Sequence, residues 1–250
     1  MTRAAPTRSV RTVRIGTAAW GNPPAERHHR DPKLSHLKHY ASLFNAVEIN
    51  SSFYGSHRRG TYERWRDSVP AGFRFSVKLP RSITHERALR RCRTELSTFI
   101  EEVSGLGTKL GVVLVQTPGS LAFEAPVASR FLTALVAATS CPIALEPRHP
   151  SWFTSRAEDL LRRWEVARVA ADPARVPQAA EPGGWGNLVY YRLHGSPRMY
   201  YSAYAPEFLR NLSMRIGSVR RKSTEVWCIF DNTAMHASWA NARLLQSFLA

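Results

Sequence analysis

Three shortages frame this 250-residue chain. Cysteine is scarce: Cys92, Cys141 and Cys228 are odd in number and far apart. Such spacing fits neither a disulfide framework nor a local zinc motif, and it points to a reducing cytosol. Long apolar runs are missing, and none approaches the roughly 20 residues of a membrane-spanning helix. The opening MTRAAPTRSVRTVR is basic and lacks the apolar centre of a signal peptide, so residues 1–12 read as a basic tail. Acidic residues are the third shortage, with 19 Asp+Glu against 35 Lys+Arg and a formal net charge of +16. Lysine itself occurs only at 33, 38, 78, 109 and 222; the other 30 basic residues are Arg.

The charge has two readings. A basic surface attracts polyanions, which brings nucleic acid into view. A general preference for Arg over Lys, beside plentiful Ala, explains the choice of base but not the lack of acids. No helix-turn-helix or zinc-finger spacing stands out, and repeats and low-complexity tracts are absent. With 44% hydrophobic and 22% charged residues, the composition is that of a folded globular chain.

Short β-branched runs alternate with longer amphipathic stretches. Strands are expected at 13–17, 46–50, 73–78, 111–116, 143–148, 167–172, 188–194 and 226–231. Helices are expected at 34–44, 61–67, 95–105, 125–138, 156–164, 206–219 and 237–249. Strands separated by helical patterns read as βαβ units with a parallel sheet. Eight of them in this length favour an α/β fold closed as a single (β/α)8 TIM-type barrel over an open sheet. The stretch 173–187 carries Pro173, Pro177, Pro182, Gly183, Gly184 and Gly186, so the sixth crossover is expected to be irregular. No linker divides the chain, and residues 13–250 are expected to form one domain.

Period-two alternation gives each strand two faces. Glu48 and Asn50 oppose Val47 and Ile49; Arg74, Ser76 and Lys78 oppose Phe73, Phe75 and Val77. Glu146 and Arg148 oppose Ile143 and Leu145, while Arg192 and His194 oppose Tyr191 and Leu193. The apolar face must pack on helices, which turns the polar face inward. Inward charges must be paired or hydrated, so internal ion pairs alone are one reading. The polar residues crowd the carboxyl ends of the strands, where barrels carry their active sites, so a ligand-binding mouth is the other.

Glu48 reads as a general base or metal ligand, or as the ion-pair partner of Arg74. Asn50 sits beside it, and Tyr54 could stack on a sugar or base or anchor its loop. Lys78, Arg81 and His85 form a basic run with no acid between Arg74 and Glu86. Such a run suits a phosphate or carboxylate, or is a solvated loop. Lys78 could also lose its proton on burial and form a Schiff base. Glu146, Arg148 and His149 combine acid–base groups with an anion clamp; alternatively Arg148 pairs with a carboxylate while Pro150 and Trp152 cap the fold. Arg192 and His194 precede Gly195, which would permit close backbone approach to a ligand. Tyr200, Tyr201 and Tyr204 could stack on bases or sugars, or cover the mouth. Asp231 and Asn232 complete the ring.

A divalent metal is a weaker expectation. Glu48, Glu146, His149, Asp172, His194 and Asp231 are suitable donors on separate strands. Lys78, Arg148 and Arg192 would repel the ion, and no HExxH motif is present. The His28-His29 pair reads as incidental.

Several strings carry a resemblance: IGTAAW (15–20), FNAVEINSSFY (44–54), FRFSVKLPRSITHER (73–87) and ALEPRHPSWF (144–153). YYRLHGSPRMYYSAYA (190–205) and VWCIFDNTAMHASWANA (226–242) add to it. Together they resemble the DUF72, or YecE-like, family across about residues 13–250. The resemblance implies a TIM-type barrel, distantly similar to endonuclease IV-like and sugar-isomerase-like barrels, and implies a fold rather than an activity. The chain departs from the family pattern after Trp20, where GNPPAERHHRDP replaces an aromatic-rich stretch. It departs again at Pro147, and at Asp231-Asn232-Thr233, where the family has consecutive Asn residues and an Asp.

The leading expectation is an enzyme whose mouth takes a small anionic ligand, phosphorylated or nucleotide-like. Lys78, Arg81, Arg148 and Arg192 would hold the anion; Glu48, Glu146, His149 or His194 would move protons. Phosphoester hydrolysis stands ahead of isomerisation. The alternative is a non-catalytic nucleic-acid-binding barrel.

Overall fold

The computed structural model describes residues 13–27, 31–220 and 224–250. The basic tail at 1–12 and the His28-His29 pair lie outside the described residues. Ten strands are described: β1 (Val13–Thr17), β2 (Ala46–Ile49), β3 (Arg74–Lys78), β4 (Leu110–Gln116) and β5 (Ile143–Glu146), then β6 (Val166–Arg168), β7 (Ala170–Asp172), β8 (Gly183–Gly184), β9 (Leu188–Leu193) and β10 (Glu225–Phe230). Between and after them run α1 (Pro24–Arg27), α2 (His36–Leu43), α3 (Ser51–Tyr54), α4 (Arg59–Asp67), α5 (Arg93–Val103), α6 (Ala125–Ala138), α7 (Ser155–Arg163), α8 (Pro206–Arg220) and α9 (Ala237–Leu249).

The fold is mixed α/β. One sheet has the order β1-β10-β9-β7 and the other β2-β3-β4-β5-β6-β8. Every pairing is parallel except that of β6 with β8. A single parallel bridge, Ala18 with Glu48, joins β1 to β2, and Ala19 N–H donates to the Glu48 carbonyl at 2.8 Å. At the other seam, only Val169 separates β6 from β7. The one strand expected at 167–172 is thus two, because the chain leaves one sheet at Arg168 and enters the other at Ala170.

Both faces of the strands are buried, as parallel sheets require. Val47, Val77, Val113, Val115, Ile143 and Leu145 pack with the helices. Ala18, Ala46, Val112, Leu114, Ala144, Ala167, Tyr190, Trp227 and Ile229 form a second core on the opposite face. The residues two positions further along several of these strands are polar: Glu48 after Ala46, Gln116 after Leu114, Glu146 after Ala144, Arg192 after Tyr190 and Asp231 after Ile229. The second face is therefore largely apolar along its middle, where Ser76 is the polar exception, and gathers its buried charges at the carboxyl ends.

The fifth strand stops at Glu146, short of the expected Arg148, because Pro147 has no N–H to give to a ladder. Residues 173–187 contain a 3-10 turn (Pro177–Ala180) and the two-residue β8, with no α-helix, as their Pro and Gly content implies. Arg168 holds this segment. Its Nε meets the Glu158 carboxylate, and its Nη1 donates to the carbonyls of Gln178 at 2.8 Å and Glu181 at 3.1 Å. The other Glu158 oxygen accepts Gly184 N–H at 2.7 Å.

Candidate functional site at the carboxyl ends of the strands

Arg192 stands at the centre, fully buried. Its Nε donates to Glu48 Oε2 at 2.9 Å and its Nη2 to Glu48 Oε1 at 2.6 Å. Nη1 donates to Glu146 Oε2 at 2.8 Å and to Gln116 Oε1 at 3.3 Å, and Nη2 reaches Asp231 Oδ2 at 3.2 Å. A planar guanidinium with five N–H donors is suited to collecting several carboxylates in this way. Ladder register helps, since Gln116 lies beside Glu146 and Glu48 beside Ser76. Tyr190 donates its hydroxyl proton to Glu48 Oε2 at 2.8 Å and accepts from Ser76 at 2.9 Å.

His194 bridges two of the acids. Its Nε2 is 3.3 Å from Glu146 Oε1 and its Nδ1 3.0 Å from Asp231 Oδ2. Burial alone would lower the imidazole pKa, but the two carboxylates outweigh it and hold the pKa above its usual value. Burial likewise works against ionising Glu146, yet Arg192, His194 and Arg148 keep its pKa well below the ordinary range. Asp231 is depressed for the same reason, by Arg192 and His194.

Arg148 donates from Nε to Glu146 Oε1 at 2.8 Å. Its Nη2 is buried and has no hydrogen-bond partner. Lys78 is 8% exposed, and its Nζ sits 4.0 Å over the Phe53 ring. Among the described residues nothing accepts a hydrogen bond from that ammonium or pairs with it. Burial first, and then the charge of Arg192, bring the Lys78 pKa down to about 8. His85 meets the edge of the same Phe53 ring at 5.0 Å. Its pKa is lowered by burial and then by Lys78, Arg81 and Arg148, so these cations share one electrostatic neighbourhood. His85 lies in a five-residue π-helical turn, Ser82–Glu86, that follows β3.

Other expected site residues stand apart. Arg74 is not the partner of Glu48: its Nη1 donates to the carbonyls of Ala71 and Phe73 at the opposite end of β3. Trp152 is buried against Phe123, with its indole N–H on the Leu121 carbonyl at 2.9 Å, so it braces the loop after β5. Tyr204 is buried too; its hydroxyl donates to Asp172 Oδ1 at 2.9 Å and accepts Gly195 N–H at 2.9 Å. The tight approach expected at Gly195 is to its own loop. A Cβ there would lie 2.8 Å from the Ser202 carbonyl, and φ is +94°. His149 accepts Ser151 N–H and caps the 3-10 turn Pro150–Phe153. Tyr54 is 83% exposed, and Arg81 pairs with Glu86 at 3.5 Å. Asn232 is buried and donates to the Ser202 carbonyl and Asn241 Oδ1, both at 2.9 Å.

Of the expected metal donors, Glu48, Glu146, His194 and Asp231 gather around Arg192, while Asp172 and His149 stand apart. Among the described residues no group of three or more His, Cys, Asp or Glu side chains could hold a metal ion. Glu48, Glu146 and Asp231 bind Arg192, Asp172 binds Tyr204, and His149 binds Ser151.

Sequence reasoning missed Gln116, Tyr190, Phe53 and Thr117. The signal for Gln116 was available, since it is the polar terminus of an otherwise apolar strand. Several polar atoms just beyond the strand ends are buried without partners: Asn50 Oδ1, Thr117 Oγ1, Asn232 Oδ1 and, in the loop after β1, both amide atoms of Asn22. A concavity of about 750 Å³ lies at the other end of β5, lined by residues 136–143 and 163–165, and contains none of these groups.

Residues 14–250 match the family model described as "Protein of unknown function DUF72". The chain belongs to the DUF72 family. Among curated relatives, the UPF0759 protein YecE of Escherichia coli K12 is 31% identical over 176 residues, or 68% of this chain and 62% of that protein. The chain therefore spans less than two thirds of that relative's length. The UPF0759 protein YunF of Bacillus subtilis is 25% identical over 153 residues, 57% of this chain and 52% of that protein. Two solved structures share the fold: DUF72 family proteins from Enterococcus faecalis and Thermotoga maritima. Both have a TM-score of 0.79, at 23% and 22% identity, and each covers 95% of this chain and 95% or 98% of its own. No helix among the described residues is long and apolar enough to cross a membrane.

Proposed function

We propose that the two sheets close into one (β/α)8 barrel of TIM type, and that its carboxyl-end mouth binds a small phosphorylated or nucleotide-like anion on which the protein acts as an enzyme. Closure is supported by the Ala18–Glu48 bridge at one seam, the single residue between β6 and β7 at the other, and the separate second core. The anion reading rests on one observation: Arg148 Nη2 is a buried donor without an acceptor and Lys78 Nζ rests on the Phe53 ring with no carboxylate partner among the described residues, while Arg192 engages every carboxylate of the cluster. A phosphoryl group would satisfy the Arg148 donor in the same electrostatic neighbourhood as Lys78 and His85.

Phosphoester hydrolysis is the first reaction class. A water oxygen would bond to phosphorus as the ester P–O bond breaks; the leaving oxygen would take the proton from His194, and the proton released by the attacking water would return to the imidazole. Isomerisation is the second, with His194 giving and retaking a proton. A thermal-shift titration with inorganic phosphate, phosphorylated metabolites and nucleotides tests the binding step, because a ligand selective for the folded state raises its stability. We expect Arg148→Met to weaken binding about tenfold or more, since hydrogen bonds to charged groups contribute about 1.5–3 kcal/mol. No shift with any of these anions would refute the reading.

Nucleic-acid binding is favoured by different residues. Arg198 stacks 3.9 Å over Tyr201, and Tyr200 and Tyr201 are both exposed. Oligonucleotide binding that falls steeply with salt and ignores Arg148→Met would select that alternative.

A further inference from the structure

We propose that Lys78 is an imine-forming lysine, and that the ligand of this mouth is a phosphorylated aldehyde or ketone whose carbonyl carbon it attacks. The proposal rests on the anion-binding half of the reading above, with Arg148 alone holding the phosphoryl group and Lys78 freed for the carbonyl, and is independent of whether a phosphoester is cleaved.

The placement of the side chain carries the argument. Lys78 ends β3 on the same face as Ser76 and points to the carboxyl-end cluster, where Glu48, Glu146 and Asp231 lie within electrostatic reach. Any of the three could have paired with a buried ammonium. All three instead bind Arg192, and Nζ rests on the face of Phe53. Ser52 Oγ donates to the Lys78 carbonyl at 2.7 Å, which ties the strand end to α3, the helix that carries Phe53. Desolvation and a neighbouring cation both favour the neutral amine that must attack carbon, and here they act against the attraction of the Phe53 face for the ammonium. The other described lysines lack this placement. Lys33 and Lys38 are exposed, and Lys109 donates to the carbonyls of Arg66 and Val69 at 2.6 Å each.

The burial that lowers the Lys78 pKa to about 8 leaves a usable fraction of free amine near neutral pH. Addition forms a C–N bond as the carbonyl π pair moves to oxygen. That oxygen takes up a proton, the C–O bond breaks, and water leaves. Overall, ammonium plus carbonyl gives protonated imine plus water, with no oxidant or reductant. His85 is kept neutral by burial and by Lys78, Arg81 and Arg148, and it is placed at the Phe53 edge to relay the ammonium proton. The partnerless Arg148 Nη2 would hold the phosphoryl end. The protonated imine would then withdraw electrons from the adjacent carbon, which is what proton transfer or C–C cleavage next to a carbonyl needs.

Pyridoxal phosphate supplies both an aldehyde and a phosphate as a probe. The full-length protein is treated with it at low concentration, reduced with borohydride and mapped by mass spectrometry over its five lysines. Lys78 should take up label roughly tenfold or more faster than the exposed Lys33 and Lys38, because each unit of pKa depression raises the free amine about tenfold, and faster than Lys109, whose pKa burial also lowers but whose ammonium is held by two carbonyls. Inorganic phosphate should protect it, and Arg148→Met should slow pyridoxal phosphate more than pyridoxal. Lys78→Arg, which keeps the charge, should remove the fast label, with its Tm reporting that the variant still folds. Labelling of Lys78 no faster than of the exposed lysines overturns the imine. If phosphate still raises Tm in that case, the anion reading survives without it. Rapid labelling by pyridoxal and pyridoxal phosphate alike, unprotected by phosphate, keeps the imine and overturns the anion site.

Discussion

Arg192 binds Glu48, Glu146 and Asp231 without access to water. Ion pairs buried this deeply are weak evidence of stabilisation, because desolvation offsets much of the attraction. Removing one partner is a different matter, since it leaves uncompensated charge. Arg192→Met should therefore destabilise by about 3–5 kcal/mol, read from urea unfolding. A loss below about 1 kcal/mol would mean that the three acids find other partners or take up protons at little cost. Alternation along β9 was enough to place Arg192 and His194 on one face. It could not choose among the available acids, because Glu48 and Arg192 are 144 positions apart and meet only through the fold. The same limit explains the error at Arg74. It shares a face with Lys78 but lies four residues toward the other end of β3, beyond reach of the cluster.

At the level of elements, helix positions were readable to within a few residues, and the bounds of α6 and α9 agree with the sequence pattern. The sixth crossover was readable only as an exclusion: its prolines and glycines rule out a helix and say nothing about what holds it. Arg168 and Glu158 hold it, from β6 and α7. Arg168→Ala removes charge-assisted bonds to Gln178 and Glu181, each contributing about 1.5–3 kcal/mol. Amide exchange across residues 178–184 should then accelerate roughly tenfold or more, while that of β3 and β4 stays unchanged. Equal protection in variant and parent would show that the pairing of β8 with β6 suffices.

Over the whole molecule, pH acts on stability from two sides. His194 has its folded pKa raised above 6.5, so its contribution is complete below that value and is lost as pH rises through the folded pKa. Glu146 and Asp231 are depressed below 4.5 and 3.8; their contribution is complete above those values and is lost as pH falls through the folded ones. Protonating carboxylates on a chain of net charge +16 also adds self-repulsion on the acid side. Urea unfolding of parent and His194→Gln between about pH 5 and pH 8 isolates the histidine. The stability difference should shrink as pH rises, and a constant difference would show that His194 carries no linked proton.

By itself the sequence determined the parallel α/β arrangement, the irregular crossover, and the set of polar residues closing otherwise apolar strands. These follow from local periodicity and from the missing N–H of proline, neither of which needs a partner. The tertiary structure decided which charges neutralise one another and which do not. Arg192 satisfies the acids, and only then do Lys78 and Arg148 have donors to spare. That outcome depends on distances between strands remote in sequence, so a charge of +16 could be counted from the chain but not located on it.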